Sequence, residues 1–157
     1  MEAKIGITST HLDSVAHSLN KIFADEFVLY TKTPKAHWCV TGADFHSKHL
    51  FFESKYQQLK DIIDDGAERI RTLGHFPTAS LKEFLQFTHL TEQGIEGTNR
   101  MSFIKASLED HESILINIRE NINPYANEMR DAGTSDYITG LLETREKMAW
   151  MLRAHLE

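Results

Sequence analysis

The sequence lacks several features that mark common functional classes. It has a single cysteine, Cys39, in 157 residues, which excludes an intramolecular disulfide framework and a thiolate metal cluster. No apolar run is long enough to span a bilayer, and residues 1–6 show no basic region leading into an apolar stretch. We therefore expect a cytoplasmic protein with neither a membrane anchor nor a secretory signal.

Glycine and proline are also scarce, with eight and three residues respectively. The shortage of turn formers disfavours all-β sandwiches and meanders. Pro34, Pro77 and Pro124 divide the chain into four stretches, each long enough for a helix that crosses a small domain. The net charge of −6 repels phosphate backbones and anionic lipid, so nucleic-acid binding is not the first expectation.

Apolar residues recur at steps of three and four in every stretch, which is typical of helices packed in a bundle. The clearest run consists of Phe45, His49, Phe52, Tyr56, Leu59, Ile63, Ala67 and Ile70. Gly74 follows as a C-terminal stop. The third helix is predicted to end near Asn123–Pro124, and the last is predicted to start at a Thr134 cap and to carry residues as far as Leu156 inward.

Two further signals complete the predicted architecture. Ser9 or Thr10 is expected to cap the first helix, and Ser80 with Glu83 forms a capping box that predicts a short helix over roughly 80–88. The sequence contains no linker or repeat. We predict one all-α domain over residues 1–157, a four-helix bundle with a short extra helix between the second and third helices.

The usual di-iron site of a bundle core is missing. That site needs Glu-x-x-His pairs on two helices, and no histidine here has a glutamate three residues before it. Phosphate-binding loops, His-Glu-x-x-His helices and Gly-x-Ser-x-Gly elbows are absent as well. What remains is a histidine and carboxylate set that comprises His37, His49, Glu53, Asp64 and Glu68.

The members within the second helix lie on one stripe, because their spacings are close to whole helical turns. His49 and Asp64 are nevertheless 15 residues apart, roughly 22 Å on a straight helix, so one ion cannot touch both within one chain. Two such helices packed antiparallel about a two-fold axis near residues 57–58 would place His49 of one chain beside Asp64 and Glu68 of the other. His37 would converge with His49 from the same chain.

This ligand set suits Fe(II), and zinc or manganese could also occupy it. The residues alone leave an alternative open, in which His49 is a hydrogen-bonded core histidine and Asp64 and Glu68 form a solvated helix edge. His111 continues the apolar stripe of the third helix and is interpreted as a core residue.

The segment His37–His49 resembles the signature of the Dps mini-ferritins. It reads His-Trp-Cys-Val-Thr-Gly-Ala-Asp-Phe-His-Ser-Lys-His, and the similarity continues through Asp64-Asp65, Ala67-Glu68-Arg69-Ile70, Pro77, Glu83-Phe84 and Trp150-Met151-Leu152. The resemblance implies a ferritin-like bundle and a homo-oligomeric, dodecameric shell. It also implies ferroxidase sites at the two-fold interfaces, where Fe(II) is oxidised, preferentially by hydrogen peroxide, and stored as ferric oxide.

The resemblance also implies roles for single residues. His37 and His49 match the metal ligands from one subunit, Asp64 and Glu68 match those from its neighbour, and these four are the catalytic set. Glu53 stands where many members have aspartate, so it is expected to reach the metal through its longer arm or a water.

Other matching positions lie around the site and the pore. Trp38 matches an aromatic that could intercept oxidising equivalents, or it only packs. Asp131 and Asp136 match acidic residues of the three-fold pore, whereas Gly140 replaces a further acidic residue found in some relatives. Pro34 removes a helical hydrogen bond shortly before His37 and predicts a kink.

Two competing functions follow from the same sequence. A DNA-coating Dps protein generally needs a basic tail, but the segment before Thr10 carries only Lys4, offset by Glu2, and the chain stops at Glu157 after the last helix. We therefore expect no appreciable DNA affinity. The other competing possibility is a structural bundle whose histidines and carboxylates only pack.

Overall fold

The computed structural model describes residues 3–157, which form five α-helices and one short π-helical segment. The helices are α1 (Ser9–Cys39), α2 (Phe45–Thr72), α3 (Leu81–Phe87), α4 (Arg100–Asn123) and α5 (Ala132–Arg153), and the π-helical segment is Pro124–Glu128. These residues contain no β-strand, so the predicted all-α bundle with a short extra helix is confirmed. None of the helices described has both the length and the apolar character that crossing a bilayer requires.

The four long helices pack in two antiparallel pairs. The turn at residues 40–44 folds α2 back along α1, and the π-helical segment leads α4 back into α5. The short α3 lies against α1, where Phe84 stacks on Phe27 with ring centroids 3.8 Å apart. Between the two pairs, α1 packs on α4 more extensively than α2 packs on α5. A groove therefore remains open between α2 and α5.

The start of α1 differs from the prediction. Thr8, rather than Ser9 or Thr10, caps the helix, because its hydroxyl accepts a hydrogen bond from the backbone N–H of His11 at 3.3 Å. All three hydroxyl residues are chemically suitable caps, so the sequence alone does not choose among them.

The start of α5 also corrects the prediction. Thr134 is not the cap, because the Asp131 carboxylate accepts its backbone N–H at 2.8 Å and its hydroxyl at 2.5 Å. The helix consequently begins at Ala132, three residues earlier than a cap at Thr134 would place its start. An ionised carboxylate accepts these bonds more strongly than a hydroxyl does, and it also interacts favourably with the helix dipole.

Other helix ends follow the sequence signals. Ser80 and Glu83 form both bonds of the capping box of α3, and Gly74 adopts a positive φ of 86° just after α2. The proline boundaries are less simple: α1 continues through Pro34 to Cys39, and the π-helical segment begins at Pro124 itself. Pro34 therefore lies within the last part of α1, as its position shortly before His37 predicts, and not at the boundary between the first two helices.

The apolar stripes form a continuous interior, with deviations at helix ends. Leu12, Val15, Leu19, Ile22 and Phe23 of α1 are buried together with Leu59 and Ile70 of α2 and Ile138 of α5. The prediction that Leu156 points inward is wrong, because α5 ends at Arg153 and Leu156 is exposed. Phe45 and Met101, in the first turns of α2 and α4, are exposed as well.

Candidate metal centre

His37 and His49 are the predicted ligands that the fold brings together within one chain. Their rings stack with centroids 3.7 Å apart, across the turn that joins α1 to α2. Nδ1 of His37 lies 2.9 Å from the backbone oxygen of His49, and Nδ1 of His49 lies 3.0 Å from that of His37. A carbonyl oxygen only accepts, so each Nδ1 carries the proton and donates it to the other residue's backbone.

This reciprocal pair fixes the tautomer of both rings. In a neutral imidazole with the proton on Nδ1, the lone pair lies on Nε2, and among residues 3–157 Nε2 of neither ring has a hydrogen-bond partner. Metal-binding histidines commonly use this arrangement, in which one nitrogen is held by a carbonyl and the other faces the metal. The expected kink at Pro34 does not separate the two rings, because His37 is buried in the last turn of α1.

Aromatic side chains border the histidine pair. Tyr56 meets His37 edge-on with centroids 5.3 Å apart, and Phe45 lies 5.1 Å from His49. Trp38 is 72 % exposed, so the alternative that it only packs within its own chain is not supported. An exposed indole directly after the buried His37 is free to contact another subunit or a small molecule.

Two of the predicted carboxylates, Asp64 and Glu68, lie far along α2 from the histidines within one chain. Glu53 is half-buried one turn after His49, whereas Asp64 and Glu68 are exposed further along α2. Within residues 3–157, no group of three or more histidine, cysteine, aspartate or glutamate side chains lies close enough to hold a metal ion. A complete donor set of the predicted kind therefore requires a second chain.

The centre of the bundle is occupied by an ion pair outside the predicted site residues. Arg145 of α5 is fully buried and pairs with Glu26 of α1 through both carboxylate oxygens. Its Nη1 also lies 3.4 Å from Nδ1 of His111, which confirms His111 as a core residue. Burial, with a smaller effect of Lys55, lowers the pKa of His111 to about 3, so this ring is neutral near pH 7.

A signal for this pair was present in the sequence. Arg145 falls between Leu141 and Met148 on the apolar stripe of α5, and Glu26 falls between Ile22 and Leu29 on that of α1. Opposite charges on two facing apolar stripes predict a buried pair. The interior of the bundle between α1 and α5 is thus filled here by a guanidinium and a carboxylate.

The two predicted pore residues have different environments. Asp131 is buried, and besides capping α5 it accepts a hydrogen bond from Nη2 of Arg69 at 3.2 Å. Asp136 is exposed in the first turns of α5. Within one chain, Asp136 is the residue of the two whose carboxylate reaches the surface.

Comparisons with known proteins agree with this architecture. The family model of the ferritin-like domain matches residues 16–157. An uncharacterized low temperature-induced protein of Nostoc sp. is 39% identical over 153 residues, which cover 98% of this chain and 86% of that relative. The DNA protection during starvation protein 2 of Bacillus anthracis is 37% identical over 142 residues, with 90% and 96% covered.

A solved Dps structure is also similar to this chain in fold. The Dps protein of Vibrio cholerae O1, described as a member of a superfamily of ferritin-like diiron-carboxylate proteins, superposes with a TM-score of 0.91. It shares 31% sequence identity, and the alignment covers 99% of this chain and 97% of that one.

Proposed function

This chain is a Dps-type mini-ferritin of the ferritin-like family, and on that premise we propose that it is an iron-storage and detoxification protein with ferroxidase activity. Its substrates are Fe(II) and an oxidant, preferentially hydrogen peroxide, and its product is ferric oxide held inside a hollow dodecameric shell. Residues 1–157 act as one domain of that shell. The single Cys39, which forms no disulfide, suits the reducing cytoplasm proposed as its location.

The observation that carries this proposal is the reciprocal hydrogen bonding of His37 and His49. Two buried or half-buried imidazoles are fixed with their Nδ1 atoms occupied and their Nε2 atoms available. Neither Nε2 atom is among the buried polar atoms that lack a hydrogen-bond partner in residues 3–157, so both are open to a ligand from outside the chain. The arrangement supports a metal-binding role over packing alone.

The remaining ligands are proposed to come from the neighbouring subunit. Asp64 and Glu68 are exposed one turn apart on α2, so both carboxylates are available to a second copy. An antiparallel two-fold pairing of α2 places them near the histidine pair of the other chain and creates two equivalent sites. Glu53, half-buried beside His49, completes the set from the histidine side.

The proposed reaction is a two-electron reduction of peroxide. Two Fe(II) ions give up one electron each, hydrogen peroxide takes both electrons with two protons, and the products are two Fe(III) ions and two water molecules. Paired one-electron donors avoid the release of a hydroxyl radical. Trp38, exposed next to His37, is proposed to intercept any oxidising equivalent that escapes this step.

Asp131 and Asp136 are proposed to border the pore through which iron enters the shell. Asp136 supplies the exposed charge of the two.

The test is the rate of Fe(II) oxidation by peroxide in single variants. We expect His49→Asn and Asp64→Asn each to lose the fast phase while the shell stays assembled. The matched controls are His46→Asn and Asp65→Asn, which remove the same chemical groups from exposed positions of the same helix. Full activity in both site variants, or equal loss in the controls, would contradict the proposed site.

The alternative function is protection of DNA by direct binding, which the name of the Bacillus anthracis relative suggests. The chain charge of −6 opposes it, because contact with DNA phosphates depends on clustered lysine and arginine side chains. We expect no mobility shift of duplex DNA at low salt without divalent metal. Submicromolar binding under those conditions would favour the alternative.

A further inference from the structure

The open side of the bundle contains a groove between α2 and α5. We call it the lysine groove, and it has a volume of about 400 Å³. Its lining includes Ser54, Lys55, Gln58, Thr144, Lys147 and Met151. The groove is separate from the histidine and carboxylate set, none of whose members line it.

Lys55 is the unusual member of the lysine groove. Only 4% of the Lys55 residue is exposed, yet its ammonium has no carboxylate within ion-pair distance among residues 3–157. Within residues 3–157 the ammonium makes one hydrogen bond, to the thioether of Met151 at 3.3 Å, and sulfur is a weak acceptor. The ring of Phe51, with its centroid 5.2 Å from Nζ, adds a modest cation–π contact.

The surroundings do not compensate this charge. Lys147 on the opposite wall adds a second cation, and no carboxylate of the described chain lines the groove. Glu146 turns away to pair with Arg119 of α4. The hydroxyls of Ser54 and Thr144 donate to backbone carbonyls of their own helices, so they contribute no negative charge.

A buried ammonium without an anion is costly, whereas other buried charges in this chain are paired. Arg145, for example, has Glu26, and Asp110 has Lys32. Lys55 and Lys147 both line the lysine groove, so their ammonium groups supply the hydrogen-bond donors that a phosphate group needs. Lysine binds phosphate groups as a point charge. Gln58 donates only one of its amide hydrogens to Ser54, so a second is available.

We propose that the lysine groove binds a small tetrahedral oxyanion of the phosphate class, held by the ammonium groups of Lys55 and Lys147. The site is independent of iron, since neither lysine belongs to the metal-ligand set. The lysine groove would therefore be a local anion-binding site on a protein whose net charge is negative.

The test uses inorganic phosphate as the probe and the assembled protein from which iron has been removed by a chelator, because ferric iron itself binds phosphate. Isothermal titration gives the dissociation constant for the wild type, Lys55→Met and Lys147→Gln. Each variant is expected to weaken binding about tenfold or more, since each removes a charge-assisted hydrogen bond. Lys60→Gln is the matched control, because Lys60 is an exposed lysine of α2 outside the groove.

The titrations distinguish a specific phosphate site in the lysine groove from nonspecific binding and from no binding. Saturable phosphate binding that sulfate displaces, and that both groove variants weaken relative to Lys60→Gln, supports it. Absence of saturable binding to the wild type overturns it, as does binding that the groove variants and the control affect equally. Lys147 is exposed, so its substitution leaves the fold intact even if Lys55→Met disturbs the interior, and circular dichroism checks both.

Discussion

The buried pair of Glu26 and Arg145 allows a quantitative prediction about stability. Both side chains are almost completely removed from solvent, and the guanidinium contacts both oxygens of the carboxylate. Burial lowers the pKa of Arg145 to about 9, which keeps it charged near pH 7. Replacing Glu26 by glutamine retains the shape of the side chain but leaves this charge uncompensated.

The expected cost follows from the geometry. Removing one partner of a buried ion pair destabilises a protein by about 3–5 kcal/mol, and the remaining contacts of Arg145, with His111 and Met148, are neutral. With a urea dependence of roughly 2 kcal/mol per molar for a chain of this size, the unfolding midpoint should fall by about 1.5–2.5 M. The double variant Glu26→Leu with Arg145→Met should recover most of this loss, because it removes both charges and keeps the volume.

Urea unfolding followed by circular dichroism measures this difference. All variants are compared at one protein concentration, because subunit association adds to the apparent stability of each chain. A fall of less than about 0.5 M in Glu26→Gln would refute the assignment of a buried, mutually dependent pair. The same conclusion would follow if the double variant were as unstable as the single one.

Three further predictions concern His111, Asp131 and Trp38. The pKa of His111 is about 3 in the folded chain and about 6.5 when unfolded, so the unfolded state binds more protons and stability falls as pH drops from about 6.5 toward 3. At pH 5 the loss is about 2 kcal/mol per chain, and urea titrations of His111→Gln should lack that slope. Asp131→Ala removes both a cap and the partner of Arg69, so thermal melts should show a loss of about 2 kcal/mol, against less than half of that for Asp136→Ala. Trp38→Phe should leave Fe(II) oxidation unchanged but increase spin-trapped radicals during turnover; an unchanged radical yield would remove its proposed role.

The helices were predictable because their signals are local. Steps of three and four residues mark the buried faces, and the capping box at Ser80 fixes the start of α3 without reference to the rest of the chain. The choice of Thr8 over Ser9 and of Asp131 over Thr134 was not predictable, since each of these side chains is able to cap a helix. Their selection depends on where packing lets each helix begin.

The candidate site was predictable only in outline. The spacing of His49 and Asp64 indicates that one chain cannot supply both ligands, but the hydrogen bonds that fix the histidine tautomers depend on how the turn at residues 40–44 closes. The pairing of Glu26 with Arg145 depends on which faces of α1 and α5 meet, which is a property of the whole bundle. Tertiary geometry decides both.

The proposed metal site takes its ligands from two chains, and a complementation experiment tests this sharing directly. Shells of His49→Ala and of Asp64→Ala, each inactive alone, are unfolded, mixed in equal amounts and reassembled. Random pairing makes half of the pairs mixed, and each mixed pair has one intact site of two, so about one quarter of the wild-type fast Fe(II) oxidation should return. No recovery in a mixture shown to contain mixed pairs would contradict the shared site.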